Sequence, residues 1–431
     1  MTVPEGWDDL RSLELVRHCV AQELSPGEPM PGDEDDLVRT EVVDSMAWVG
    51  ILAAMEATTG IRDFGNPWPE DRPQSIRALA AAIREHSAEL AGQSASQPRP
   101  GATTSGQIVS LVGWGYALGS RLLQAAEIER NCGLPSGTIS DRAGIESVRQ
   151  ASENEDEIIL AQQAADLALE TADLDVSEVD LLIATSTTFL RLPSLAATLH
   201  SRLLLPEASG ALDIGGACVG VVQALATAKA LVAAGRWRTA LVVASEVPSR
   251  RLASSSAPGE FRGLLGDGAC ALVVSRSESP NGRWKVGEFI WGCSGAFASA
   301  LQLELQETSE LRVEFQGEPL ARAALSQLER LLRDLEMLTG KSRSEVAYFA
   351  LHEPNPRLIE ILSRSAGVPL EKMAPISRTC GNLGAATCGV NLCVALAEAE
   401  ARQTSSVPST VFVAAVGPGL LFGATYLEWH P

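Results

Sequence analysis

Three residues in this chain have the side chains and the local settings for acyl chemistry: Cys218, His352 and Asn382. Residues 211–228, ALDIGGACVGVVQALATA, read as a short buried strand, a tight turn of Gly and Ala, and a helix. A thiol at a helix N-terminus faces unpaired N–H groups and the positive end of the dipole, and both favour the thiolate. Gly215, Gly216, Ala217 and Gly220 leave room for a thioester to approach the backbone. This stretch alone also suits a buried structural cysteine. His352 closes a β-rich run in LHEPNPR (351–357), just before a helix, and Asn382 lies in the small-residue turn TCGNLGAA (379–386). Strand ends and turns are where α/β sheets present reactive groups. A fourth candidate, Ser45, opens a helix in EVVDSMAWV (41–49). A hydroxyl there is reachable, and the dipole favours an added phosphate; plain helix capping is the alternative.

The elements that must position these residues fall into two segments. Residues 8–24 have helical spacing, Asp44 or Ser45 caps a second helix ended by Gly60, and a third runs from Ser75 to His86. Residues 1–90 carry 18 acidic and 7 basic residues, more than half of the chain's net charge of −20. Residues 91–106 form a low-complexity linker. From Ile108 strands and helices alternate. Strands are predicted at Ile108–Gly113, Val179–Thr185, Ala211–Ile214, Ala240–Ser245, 268–274, Val346–Leu351, Val411–Val416 and Leu420–Trp429. Helices are predicted at Ile158–Thr171, after Cys218, at Leu320–Leu338, Pro356–Gly367 and after Asn382. Two βα-rich halves, about 107–277 and 278–431, suggest a duplicated α/β architecture.

Composition narrows the class. The strong negative charge argues against nucleic acid as a partner. No apolar run is long enough to span a membrane, and the N-terminus lacks a secretory pattern. Eight cysteines without metal-type pairing fit free thiols in a reducing cytoplasm, with no metal.

Residues 8–88 resemble an acyl carrier protein: Asp44-Ser45-Met46 matches the family's Asp-Ser-Leu motif. That resemblance implies 4'-phosphopantetheine on Ser45 and a phosphopantetheinyl transferase as a partner. Residues 107–431 resemble the β-ketoacyl-acyl carrier protein synthase III family of the thiolase superfamily. Five motifs carry it, in order: Ala217-Cys218-Val219-Gly220, Gly266-Asp267-Gly268-Ala269, His352-Glu353-Pro354-Asn355, Gly381-Asn382 and Gly417-Pro418-Gly419. The resemblance implies a layered αβαβα thiolase-like fold and a homodimer. It implies Cys218 as the acyl-holding nucleophile, with its N–H as oxyanion donor. His352 and Asn382 then donate to a malonyl-type thioester and stabilise the enolate left by loss of CO2. It also implies carrier or CoA contacts at Arg357 and Arg142, and a tunnel position at Leu192. Asp267 is read as a turn brace and Asn355 as a loop-orienting residue.

Two departures bear on the substrate. The family's adenine-stacking Trp has no counterpart around residues 137–142, so a carrier-bound donor gains weight over CoA. Pro418 stands where the family has a glycine, and proline has no N–H to donate. The expected activity is decarboxylative condensation in polyketide or specialised fatty-acyl assembly. Acyl transfer through Cys218 to a carrier, alcohol or amine without decarboxylation is the alternative enzyme. A non-catalytic carrier-presenting subunit is the alternative of another class.

Overall fold

The computed structural model describes residues 9–24, 28–40, 42–59, 61, 73–89, 107–252, 256–277, 283–305, 311–373, 375–401 and 409–430. The expected linker at 91–106 and Gly60 lie outside them. Contacts divide the chain into two units: residues 1–105 with 316–329 and 360–367, and the remainder.

In the first unit, helices α1 (Asp9–Glu23), α2 (Ser45–Thr59) and α3 (Ile76–Glu89) share one apolar core. Val16, Val20, Trp48, Ile51, Leu52, Met55, Leu79 and Ile83 are buried in it. Asp44 is the cap of α2: its Oδ1 accepts from the N–H groups of Met46 at 2.9 Å and Ala47 at 2.8 Å. Ser45 is therefore the first helical residue rather than the cap. Ala47, Trp48 and Val49 are buried as well, so α2 is enclosed on more than one side.

The larger unit is built on a 10-stranded sheet. Its first half holds β1 (Ile108–Leu118), β4 (Leu181–Thr185), β5 (Gly210–Asp213), β6 (Thr239–Glu246) and β7 (Gly268–Ser277). Its second half holds β8 (Arg283–Val286), β12 (Tyr348–Leu351), β13 (Thr410–Gly417) and β14 (Leu421–His430). The spatial order is β12-β13-β14-β8-β1-β7-β6-β4-β5, with β9 (Ile290–Cys293) on β14. Smaller pairs are β2 (Arg121–Gln124) with β3 (Ser147–Gln150), and β10 (Leu301–Leu305) with β11 (Leu311–Phe315). The register exposes the duplication that residue identities hide. β4 is parallel to β6, β6 antiparallel to β7 and β7 antiparallel to β1. Likewise β12 is parallel to β13, β13 antiparallel to β14 and β14 antiparallel to β8.

The helices are α4 (Ala125–Cys132), α5 (Glu157–Ala172), α6 (Leu195–Arg202), α7 (Gly220–Ala233), the short α8 (Pro248–Arg251) and α9 (Gly259–Gly263), α10 (Gly317–Thr339), α11 (Pro356–Ala366), the short α12 (Ser377–Cys380) and α13 (Thr387–Ala401). Helices α7 and α13 touch each other and strands of both halves, so they form the middle layer. Both are apolar nearly all round, as a helix enclosed between sheets must be. α5 and α6 cover the other face of the first half. α5 lies close because β1 presents Gly113 and Gly115: a Cβ on them would come to 2.2 Å of Ala168 O and 2.5 Å of Ala164 O.

Candidate active site

The strand β5 leads into one 3-10 turn, Ala217–Val219, and α7 begins at Gly220. Ala217 is left-handed with φ 45°, a conformation that a Cβ makes costly. Gly417, the last residue of β13, comes against this turn. A Cβ on it would lie 3.0 Å from Cys218 Cβ and 3.4 Å from Cys218 N. Only a glycine lets the second half of the sheet meet the nucleophile this closely.

Cys218 is partly exposed, the opening that a nucleophile needs. Its charge state corrects the sequence reading. Burial of the thiol and the nearby Glu246 push its pKa up to about 12, against a lowering by its own backbone N–H. That direction favours the protonated thiol at rest. The magnitudes explain why: a helix terminus contributes about 1 kcal/mol, whereas desolvating an anion costs several. The proton must therefore leave Cys218 as the thioester is attacked.

His352 follows β12, and its backbone N–H donates to Ala414 O of β13 at 2.8 Å. The ring is 3% exposed, and burial pushes its pKa down to about 4. It is neutral at neutral pH and carries one N–H donor. Its Nδ1 has no hydrogen-bond partner among the described residues. Asn382 is anchored through its backbone: its N–H donates to Leu264 O at 2.8 Å, and its O accepts from Gly266 N at 3.0 Å. Its side-chain Oδ1 accepts from Gly384 N–H at 2.9 Å and from the Thr387 hydroxyl at 3.0 Å. A backbone N–H can only donate, so the amide orientation is fixed by the network. That leaves Nδ2 as the donor end of the side chain.

The segments that carry the three residues adjoin. The 217–219 turn touches the 384–386 turn and the end of β13, which also holds the backbone of His352. No charged partner is needed in this arrangement. It offers one nucleophile and neutral donors, the requirement for attack on a thioester and for stabilising a developing oxyanion.

Residues 212–295 match the family profile described as 3-oxoacyl-[acyl-carrier-protein (ACP)] synthase III, and residues 338–429 match that of its C-terminal part. The β-ketoacyl-[acyl-carrier-protein] synthase III of Ruegeria pomeroyi is 30% identical over 325 residues, covering 74% of this chain and 98% of that protein. The 3-oxopimeloyl-[acyl-carrier-protein] synthase of Brucella abortus is 32% identical over 338 residues, with the same coverage of each. The chain belongs to the β-ketoacyl-acyl carrier protein synthase III family. The crystal structure of the synthase III of Aquifex aeolicus superposes with a TM-score of 0.66 at 27% identity, covering 74% of this chain and all of the other. A priming β-ketosynthase of a polyketide pathway superposes equally well, at 0.66, and its 24% identity speaks for the fold alone. The larger unit thus has the thiolase-like α/β fold of synthase III.

Other motif residues of this synthase III domain have structural duties. Asp267 is fully buried and its carboxylate accepts from the N–H groups of Ala151 at 2.7 Å and Ser249 at 3.0 Å, which braces the turn. Asn355 caps α11, its Oδ1 accepting from Leu358 N at 3.0 Å. The segment of Arg142 meets the first turn of α11, where the Arg357 N–H donates to Ala143 O at 3.3 Å. Arg142 is exposed and Arg357 partly buried. Leu192 is 93% exposed, so within one chain it lines no acyl tunnel.

Two buried carboxyls escaped the sequence reading. Glu246 ends β6 and is 1% exposed; burial pushes its pKa up to about 7. Glu353, beside His352, is also 1% exposed and raised to about 7 by burial. It accepts from Ser377 N at 3.2 Å and Ser377 Oγ at 3.1 Å. The available signal for Glu246 was a carboxyl directly after a strand of seven uncharged, mostly apolar residues. For Glu353 it was only a position between two motif residues. Among the described residues no helix is long and apolar enough to cross a membrane.

Proposed function

We propose that this chain performs decarboxylative Claisen condensation of an acyl group on Cys218 with a malonyl-type thioester on a carrier protein, in polyketide or specialised fatty-acyl assembly. In the first half-reaction the Cys218 sulfur attacks an acyl thioester, loses its proton and expels the donor thiol. The Cys218 N–H faces the developing oxyanion. In the second, His352 and Asn382 Nδ2 donate to the malonyl thioester carbonyl. The bond to the carboxylate breaks, CO2 leaves, and its electron pair becomes the enolate. The enolate carbon bonds to the acyl carbon, and the Cys218 sulfur departs and regains a proton. Asn382 carries this reading: an Oδ1 occupied by two donors leaves a fixed N–H donor for a thioester oxygen.

The same reading makes residues 1–90 a tethered acyl carrier, with Ser45 as the attachment residue for 4'-phosphopantetheine. The Asp44-Ser45-Met46 motif, the acidity of the segment and the start of α2 at Ser45 support it. The group supplies a thiol on a long arm, installed by a phosphopantetheinyl transferase, and the tether raises the local thioester concentration. Arg357 and Arg142 would contact the carrier or CoA. The exposed Leu192 fits a homodimer in which it reaches the partner's tunnel. Free thiols fit the cytoplasm.

The test is mass spectrometry of the Cys218 and Ser45 peptides after phosphopantetheinylation, with an acyl primer panel and malonyl-loaded carrier. The acyl group is expected first on Cys218, then as a β-ketoacyl thioester two carbons longer, with S45A losing only the chain-borne label. Release from Cys218 at unchanged length would replace condensation by acyl transfer.

A further inference from the structure

Glu246 ends a fully buried strand, yet its side chain has no place in either half-reaction. Its hydrogen bonds run to two different elements. Oε1 accepts from Thr187 N–H at 2.9 Å, from the Thr187 hydroxyl at 2.9 Å and from Ala385 N–H at 3.4 Å. Oε2 accepts from the Thr187 hydroxyl at 2.9 Å and from Thr188 N–H at 3.1 Å. The segment it grips after β4 is held twice more. The Thr188 hydroxyl accepts from Val247 N–H at 3.0 Å, and Thr188 O accepts from Arg251 Nε at 3.2 Å. The Ala385 bond is long, but packing reinforces it: a Cβ on Gly384 would sit 3.1 Å from Glu246 Cγ. Gly384 is left-handed, φ 55°, and its N–H holds the Asn382 Oδ1.

We propose that Glu246 is a positioning residue for the condensation half-reaction: it fixes the 384–386 turn against the 187–188 segment and so aims Asn382 Nδ2 at the malonyl thioester. The chain of contacts is short. It runs from the Glu246 carboxyl to Gly384 and Ala385, and from Gly384 N–H to the Asn382 carboxamide. The carboxyl is buried, and its hydrogen-bond partners are backbone N–H groups and one hydroxyl, with no ion pair among the described residues. Burying such a group without a counter-charge is unfavourable. The hydrogen bonds to Thr187, Thr188 and Ala385 offset that cost. The carboxyl's proximity raises the Cys218 pKa, which does not help the first half-reaction. The benefit must fall on the second. This role rests on the condensation reading above.

The experiment follows both half-reactions in E246A and E246Q of the full-length chain. Cys218 acylation is read by intact mass, and release of CO2 from a malonyl thioester by label. Misplacing a catalytic group by about 1 Å can cost about 10²-fold, so E246A is expected to condense about tenfold more slowly, in kcat rather than KM. Its Cys218 acylation should not fall by more than about twofold, since loss of the carboxyl that raises the thiol's pKa favours the attack. E246Q keeps an oxygen for Thr187 and Ala385 but sets its amide NH2 against the Thr188 N–H, so its condensation rate is expected between those of wild type and E246A. Equal losses in both half-reactions, or no loss, would overturn the proposal. If E246A does not fold, T187V takes its place, because it removes the hydroxyl that binds both carboxyl oxygens. A condensation-only loss of about threefold, restored by T187S, then supports the role, and any other pattern overturns it. A wild type that acylates Cys218 but never releases CO2 would instead sink the condensation reading itself.

Discussion

The two halves of the sheet repeat one strand pattern but put different chemistry at the same place. In the first half, the residues leading into the buried helix α7 form a turn with a strained Ala217 and end in a thiol. In the second, the residues leading into the buried helix α13 form a turn in which Asn382 accepts from Gly384 N–H and the Thr387 hydroxyl. One helix start offers a nucleophile, the other a fixed donor. Duplication supplied two facing helix N-termini, and short local sequences made them unlike. The strand ends diverge likewise: β6 ends in the buried carboxyl of Glu246, while its counterpart β13 ends in Gly417, which makes room for Cys218.

If the halves divide the labour, each should fail separately. C218A is expected to abolish the acyl-enzyme and lower condensation by at least about 10³-fold, since no other group takes over a missing nucleophile. Decarboxylation of a malonyl thioester should survive in it, measured as released CO2. N382A and H352A should do the reverse, with decarboxylation down by about 10²–10³-fold and Cys218 acylation retained by intact mass. Loss of both half-reactions in N382A would break the division. G417A tests the meeting point. Its Cβ would press on Cys218 at 3.0 Å, and the resulting shift should slow acylation by about tenfold or more while leaving decarboxylation nearly intact, as time-resolved mass would show.

The buried ionisable groups give smaller effects with opposite signs. Glu246 and Glu353 have native pKa values near 7, above their usual value of 4.5, so the native state holds their protons more tightly. Each costs stability as pH rises from about 4.5 to 7, and the full cost remains above that. His352, lowered from 6.5 to about 4, is the opposite case: it costs stability as pH falls from 6.5 towards 4. Removing one carboxyl should therefore show most at high pH. The melting temperature of E246Q relative to wild type should rise by a few degrees between pH 5 and pH 8, measured by calorimetry. A flat difference would mean that Glu246 is ionised in the native state at its ordinary pKa. N355A is the smallest: it removes the α11 cap and should cost about 1 kcal/mol in denaturant unfolding, with both half-reactions unchanged.

Much of this was legible in the chain. The helix from Ile158, observed as Glu157–Ala172, follows from its apolar spacing, and β13 from an unbroken β-rich run. Cys218, His352 and Asn382 stood out because each combines a reactive or polar type with a strand end or small-residue turn. The β10–β11 pair was missed because each strand offers only five residues of alternation. The α2 cap stayed open between Asp44 and Ser45 because both side chains can cap, and only the geometry chose Asp44. The protonated state of Cys218 was misread because desolvation depends on everything packed around the thiol.

The sequence by itself determined the elements, the order of the motifs and the residue types available for chemistry, since these follow from local spacing and covalent structure. The tertiary structure decided which of those residues meet. Gly417 reaches Cys218 from 199 positions away, and Glu246 reaches Ala385 across 139. It also decided the charges of Cys218, His352, Glu246 and Glu353. Burial and a neighbour's field are properties of the packed core, and no stretch of sequence contains them.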